Sequence, residues 1–179
     1  MAGILLLTAG RKDSIKSITS LPPIVEAQTR TSQETSPKNE VSNYEKAVEI
    51  IKKYESLHSP RHWPLVGYGH KVLPGEKFSR TKALSEKEAD QLLRKDLDKL
   101  CKIFRSYGKD SLLLATLAYN IGNGAVSRSS VVKKLASGNR DIKANYIAHC
   151  KYRGKEHPQI KRRRIEEFEA LFEPDTIEV

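Results

Sequence analysis

The ten residues from Leu112 to Ile121, L-L-L-A-T-L-A-Y-N-I, constrain this chain more than any other stretch. They are apolar on nearly every side, so a helix built from them has no face that prefers water. Such a helix is stable only when other elements surround it, which makes it the expected core of a helix-rich fold. The G-N-G at Gly122 to Gly124 ends it.

The surrounding elements follow from caps and periodicity. Ser42 can cap a helix in which Glu45 reciprocates, and Ala47, Ile50, Ile51, Tyr54 and Leu57 form one apolar stripe, which predicts a first helix over about 43–58. Ser59-Pro60 stops it, and Gly67, Gly69 and Pro74-Gly75 make the stretch from Trp63 to Lys77 read as a small hairpin. Ser85 with Glu88 forms a second capping box. Ala89, Leu92, Leu93, Leu97, Leu100, Ile103, Phe104 and Tyr107 then recur at helical spacing, with Gly108 placed to end a long amphipathic helix. Three further helices are expected from Ser129 to Ala136, from Asp141 to Cys150 and from Pro158 to Phe172, the last with Ile165, Phe168, Leu171 and Phe172 facing inward. The expected class is α+β, a helix-rich domain over 42–175 with one small hairpin sheet.

Residues 1–41 have linker composition: many Ser and Thr, Pro22-Pro23, and no sustained periodicity. Ala2 to Ala9 has the apolar, small-residue character of a signal-peptide core, but only Met1 precedes it. It is read either as the tail of an export signal, which would place the protein in the cell envelope or outside the cell, or as a short apolar segment without that role. No run approaches the roughly 18 apolar residues of a membrane helix, so an integral span is not expected.

The net charge is +10, and the first 41 residues hold five bases against four acids, so nearly all of the excess belongs to the folded part. Such a surface attracts polyanions: nucleic acid, anionic lipid or an acidic wall polymer. Cys101 and Cys150 form no C-x-x-C pair and are read as small apolar residues. His58 and His62 have the spacing of a zinc pair, but Pro60 lies between them and no nearby carboxylate completes a site. No metal, cofactor or disulfide is expected.

Four ordered blocks carry a resemblance. They are G-Y-G-H at Gly67 to His70, L-S-E-K-E-A-D-Q-L-L-R-K-D-L from Leu84, L-A-Y-N-I-G-N-G-A-V-S-R-S-S from Leu117, and K-R-R-R-I-E-E-F-E-A-L-F from Lys161. Together they resemble the phage-type, T4-like lysozymes, a muramidase family of phages and bacteria, over about residues 44–173. The resemblance implies a two-lobed fold with a saccharide cleft between hairpin and helices. It also implies hydrolysis of the β-1,4 bond between N-acetylmuramic acid and N-acetylglucosamine in peptidoglycan, by a monomer acting on glycan strands.

Breaking a glycosidic bond needs an acid for the leaving oxygen and a second group that positions water or attacks the anomeric carbon. Glu55 matches the family's acid by its place at the end of the first helix, where the helix dipole and enclosure would both raise its pKa. On residue physics alone it reads equally as a surface Glu beside Lys52. The family's Asp and Thr have no counterpart, because the stretch from Glu55 to Gly67 is about five residues too short and holds no other acid. His62 is the nearest candidate to hold the attacking water, against a structural role, and Glu76 is a more distant one. Tyr68 and Lys71 match hairpin positions beside the family's cleft, and Tyr119, Asn120 and Ser129 match its opposite wall. For Tyr119 core packing competes.

His70 reads as a residue that fixes the hairpin. Lys161 to Arg164, which a nucleic-acid reader would use for phosphates, reads as a solvated face among Glu166, Glu167 and Glu169. Two rival readings remain: a glycan-binding module without catalysis, and a basic helical nucleic-acid-binding protein. Nucleic acid is not the expected partner.

Overall fold

The computed structural model describes residues 41–175. The linker and export-signal readings for the N-terminal segment lie outside the described residues, apart from the last position, Val41. The elements are α1 (Asn43–Glu55), β1 (Leu65–Val66), β2 (His70–Lys71), α2 (Glu86–Ile103), α3 (Ser111–Ile121), α4 (Asn123–Ser127), α5 (Ser130–Ala136), α6 (Lys143–Ile147), β3 (Lys151–Tyr152), β4 (Lys155–Glu156) and α7 (Pro158–Leu171). Among these residues no helix is long and apolar enough to cross a membrane.

The apolar segment α3 is the centre, as its composition demands. Leu113 to Ala118 are all buried, and Thr116 hides its hydroxyl by donating to Leu112 O at 2.9 Å. Around α3 pack α1, α2, α4 and α7. Its wall is completed by Val48 and Ile51 of α1, Leu93 and Leu97 of α2, Ile142 and Tyr146 at α6, and Phe168 and Leu171 of α7. Each fully buried Leu or Ile of this kind contributes about 1.5–3 kcal/mol relative to exposure.

Differences from the expected elements have local causes. Helix α1 stops at Glu55, because Ser56 leaves the helix at φ 48°, and Leu57 is exposed instead of extending the apolar stripe. Ser42 Oγ accepts the Glu45 N–H at 3.3 Å, but the Glu45 carboxylate does not return the bond. It spans instead to Arg94 on α2 at 2.7 and 2.8 Å, where a bidentate pair outweighs a local cap. The Ser85–Glu88 box closes in both directions. Helix α2 ends before Gly108, in a 3-10 stretch, and Ile103 is half exposed. The helix expected over 141–150 shortens to α6, and the tail of that segment enters a second hairpin, β3–β4, which turns through Arg153 and Gly154.

The first hairpin pairs Leu65 with Lys71 and Val66 with His70. It is tied to α2 through His70, whose Nδ1 lies 2.5 Å from Asp96 Oδ2 and whose Nε2 lies 2.8 Å from Glu76 Oε2. Glu76 also accepts the Leu73 N–H at 2.8 Å. This is the structural place expected for His70, and it commits Glu76 to the same lock.

The Leu73 N–H and then the His70 ring hold the Glu76 carboxyl below the usual carboxylate range. A carboxyl lowered in the folded state stabilises above its unfolded pKa of about 4.3 and loses that contribution as pH falls through the folded value. Glu76→Gln is therefore expected to melt below the parent at pH 7, with the difference shrinking as the pH drops below about 4. Thermal melts of both proteins across that range measure it.

Candidate active site

Glu55 sits at the C-terminal end of α1 with its side chain 21 % exposed. Three other elements close on its carboxyl. Oε1 accepts from Arg163 Nη1 of α7 at 2.6 Å and from Asn120 Nδ2 of α3 at 3.2 Å. The hairpin covers the other oxygen at Gly69, where φ is 97° and an added Cβ would lie 3.4 Å from Oε2. The positive φ is what calls for glycine there, since the Cβ itself would only touch the carboxyl.

The ion pair continues inward. Arg163 Nε donates to Glu167 Oε1 at 2.7 Å, Arg164 Nη1 donates to Glu167 Oε2, and Tyr146 OH donates to Oε2 at 3.0 Å. Arg164 also donates to His149 O at 3.1 Å and to Asn120 Oδ1. The side chains of Arg164 and Glu167 are fully buried, and that of Arg163 is nearly so. Two guanidinium groups thus face two carboxylates, Glu55 and Glu167, so the buried charge balances. Burial, the Glu167 charge and the hydrogen bond to it push the Tyr146 phenol well above its ordinary range.

A groove of about 510 Å³ borders Gly69. Lys71 and Leu73 of the hairpin, Lys99 and Ile103 of α2, and Tyr119 of α3 line it. Tyr119 OH donates to Tyr68 O at 3.0 Å, clamping hairpin to core helix, and burial pushes its phenol upward. The Tyr68 ring has the Lys52 ammonium 5.9 Å from its centroid. An enclosed carboxyl beside a concave, partly apolar surface can deliver a proton to a bound polymer.

Residues 46–167 match the phage lysozyme family. The chain belongs to that family. It is 29% identical over 135 residues to the endolysin of Bacillus phage B103, a match covering 67% of this chain and 50% of the endolysin. It is 28% identical over 134 residues to the endolysin of Bacillus phage PZA, covering 70% and 50%. The chain thus spans about half the length of these curated relatives. Two solved structures share the fold. The endolysin from Escherichia coli O157:H7 phage FAHEc1 aligns at TM-score 0.58 and 21% identity over 74% of this chain and 94% of that one. The muramidase domain of SpmX from Asticaccaulis excentricus aligns at 0.57 and 23% over 72% and 95%.

In this family member the expected site residues separate into groups. Asn120, Tyr119 and Tyr68 join the Glu55 cluster or its clamp, and Lys71 lines the groove. Ser129, expected on the opposite wall, is a buried N-cap instead: its hydroxyl accepts the Val132 N–H at 3.3 Å and starts α5. His62 lies in an exposed 3-10 turn (Pro60–His62). Its Nδ1 accepts the Ser59 N–H at 3.0 Å, and its ring meets His58 edge-on at 4.9 Å. That bond occupies the Nδ1 lone pair and puts the neutral ring's proton on Nε2, so the turn presents a donor and not a base.

The expectation of a solvated face from Lys161 to Arg164 fails for its second half. Lys161 and Arg162 are exposed, but Arg163 and Arg164 are buried, as is Glu167. The signal was present in R-R-x-x-E, because Glu167 lies at i+4 from one arginine and i+3 from the other, within reach of both on one helix face. Removing this shared buried counter-ion leaves Arg164 with no carboxylate and Arg163 with Glu55 alone, at a cost of about 3–5 kcal/mol. Urea denaturation is expected to show a loss of that order for Glu167→Ala. Its neighbour Glu166, paired with Lys53 at 2.8 Å nearer the surface, should lose about 1 kcal/mol or less on the same change.

Proposed function

We propose that this chain is a peptidoglycan hydrolase of the lysozyme type, cutting the β-1,4 bond between N-acetylmuramic acid and N-acetylglucosamine, with Glu55 as general acid. The observation that carries the reading is the Glu55 carboxyl, enclosed at the meeting of α1, α3, α7 and the hairpin, beside a groove. Family membership and the endolysin relatives agree with it.

The two anchoring hydrogen bonds fall on one oxygen. Oε1 takes both Arg163 and Asn120, while Oε2 takes no hydrogen bond among the described residues and faces Gly69. Oε2 is therefore the atom at which the Glu55 carboxylate takes up a proton, setting aside its charge pairing with Arg163, and from which it passes that proton to the glycosidic oxygen as the C–O bond breaks. Arg163 then stabilises the carboxylate left behind. Tyr68, Lys71, Tyr119 and Leu73 form the wall against which the sugar rings lie, with Asn120 positioning the acid. The water that attacks the anomeric carbon, held by the Nε2–H of His62, gives its proton to the Glu55 carboxylate left behind, which restores the acid. We assign the activity to residues 42–175, acting as a monomer on glycan strands in the cell envelope or outside the cell.

A second reading, a glycan-binding module without turnover, is favoured by one feature: no acidic residue lies between Glu55 and Glu76 to stand in for the family's Asp. Purified sacculi separate the two readings. The parent should release soluble muropeptides, and Glu55→Gln should lose release by about a hundredfold or more with its melting temperature retained, the scale of general acid catalysis. Pelleting with sacculi without any release from the parent would support the binding module.

His62→Ala tests the water-holding role in the same assay. One lost hydrogen bond lowers release by up to about tenfold. A change smaller than about threefold would leave His62 with turn capping alone.

A further inference from the structure

The β3–β4 hairpin takes no part in the Glu55 cluster. All six residues from Lys151 to Glu156 are exposed, Tyr152 at 57 %. Arg153 and Gly154 form the turn with φ of 50° and 80°. Two successive positive angles match the twist of the flanking strands and make a tight two-residue turn. The register sets Tyr152 opposite Lys155 and Lys151 opposite Glu156. The Arg153 guanidinium lies 5.4 Å from the centre of the Tyr152 ring, and the His157 ring meets that ring edge-on at 6.3 Å.

Charge on this hairpin is unbalanced. Its one carboxylate, Glu156, is taken by Lys161 at 2.9 Å. Among the described residues no carboxylate comes within 4.0 Å of Lys151, Arg153 or Lys155. The exposed Tyr152 ring has three cations around it, of which only Lys151 has a carboxylate, Glu156, across from it, so net positive charge gathers on a two-stranded hairpin that is marginal alone in water. The combination suits a ligand that offers both flat ring faces and repeated negative charge.

Three polyanions carry such charge. Duplex nucleic acid keeps its rings stacked inside, away from Tyr152. A lipid surface calls for apolar side chains at the tip, and the tip is Arg153-Gly154. A wall polymer that alternates sugar rings with phosphodiesters offers both features along one strand. Position agrees: α7 begins at Pro158, directly after the hairpin, and Arg163, which holds Glu55, lies roughly 8 Å along the same helix axis.

We propose that the Lys151–Glu156 hairpin docks a phosphodiester-bearing wall glycopolymer, with sugar rings on Tyr152 and phosphates on Lys151, Arg153 and Lys155, and so holds the protein on its substrate. The proposal rests on the glycan-hydrolase reading above. It is tested separately from that reading by measuring retention in the full chain carrying Glu55→Gln, which does not depend on cutting.

Two batches of sacculi serve as probes: one with its phosphodiester polymer intact, and one stripped of it by hydrofluoric acid. The Glu55→Gln chain is expected to pellet about tenfold more tightly with intact sacculi, with a steep salt dependence. The combined variant Lys151→Gln, Arg153→Asn, Lys155→Gln should abolish that preference and flatten the salt dependence; Asn is chosen because it tolerates the positive φ of the turn. Tyr152→Ser, with all charges kept, should lower retention on intact sacculi several-fold. With Glu55 restored, the hairpin variants should release muropeptides from stripped sacculi at the parental rate, which shows that the fold and the groove are unharmed.

Equal pelleting of variant and parent on intact sacculi would overturn the proposal, as would a parent with no preference for them. Tighter retention on single-stranded DNA than on intact sacculi would overturn it in favour of nucleic acid. Failure of release from stripped sacculi by the parent would count against the hydrolase reading and leave the pelleting result standing.

Discussion

The guanidinium of Arg163 joins the interior of this protein to its surface chemistry. It reaches Glu167 in the core on one side and Glu55 at the groove on the other, at 2.7 and 2.6 Å. A buried arginine with one carboxylate would compete with Arg164 for Glu167, and a carboxyl at a helix C-terminus is disfavoured by the helix dipole. Together the two arginines and two carboxylates form a neutral cluster in which each charge has an opposite neighbour. Long-range order follows from it, because α1, α3 and α7 must all be in place before the cluster closes.

The hairpin is held against this cluster by a separate set of bonds. Tyr119 donates to the Tyr68 carbonyl, His70 bridges Asp96 and Glu76, and Gly69 approaches the Glu55 carboxyl at a positive φ. The groove and the carboxyl meet at Gly69, which lines the one and lies against Oε2 of the other, while Glu55 itself is not part of the groove's lining. The short segment after α1 holds no second acidic group before Glu76. The structure places His62 there as a turn cap whose free ring nitrogen is a donor. The chemistry proposed for Glu55 therefore depends on one acid and a hydrogen-bonding partner for water, not on a carboxylate pair.

Much of the fold was legible because it rests on local rules. The apolar run of α3, the Ser85–Glu88 cap and Pro158 at the start of α7 each act within a few residues, and each appears where expected. Misreadings fall where a distant partner competes with a local one. Glu45 was expected to close its own cap and instead spans to Arg94, and Ser129 was expected at the cleft and instead starts α5. Arg163 and Arg164 read as solvated because strongly charged side chains usually are; the shared Glu167, Glu55 on Arg163, and the Asn120 amide and His149 carbonyl on Arg164 make their burial tolerable. The second hairpin was missed because its strands carry no alternation of apolar and polar side chains and its turn holds the single Gly154, whereas the first was marked by Gly67, Gly69 and Pro74-Gly75.

By itself the sequence determined the helix-rich class, the central helix, the first hairpin and the family, since periodicity, caps and ordered motifs are properties of neighbouring residues. It also singled out Glu55 as the carboxyl to examine. Only the tertiary structure decided which groups surround that carboxyl, which oxygen is left free, and which charges are buried. Those are contacts between residues separated by 65 to 108 positions. Their geometry exists only once the core has formed, and no local pattern of residues specifies it.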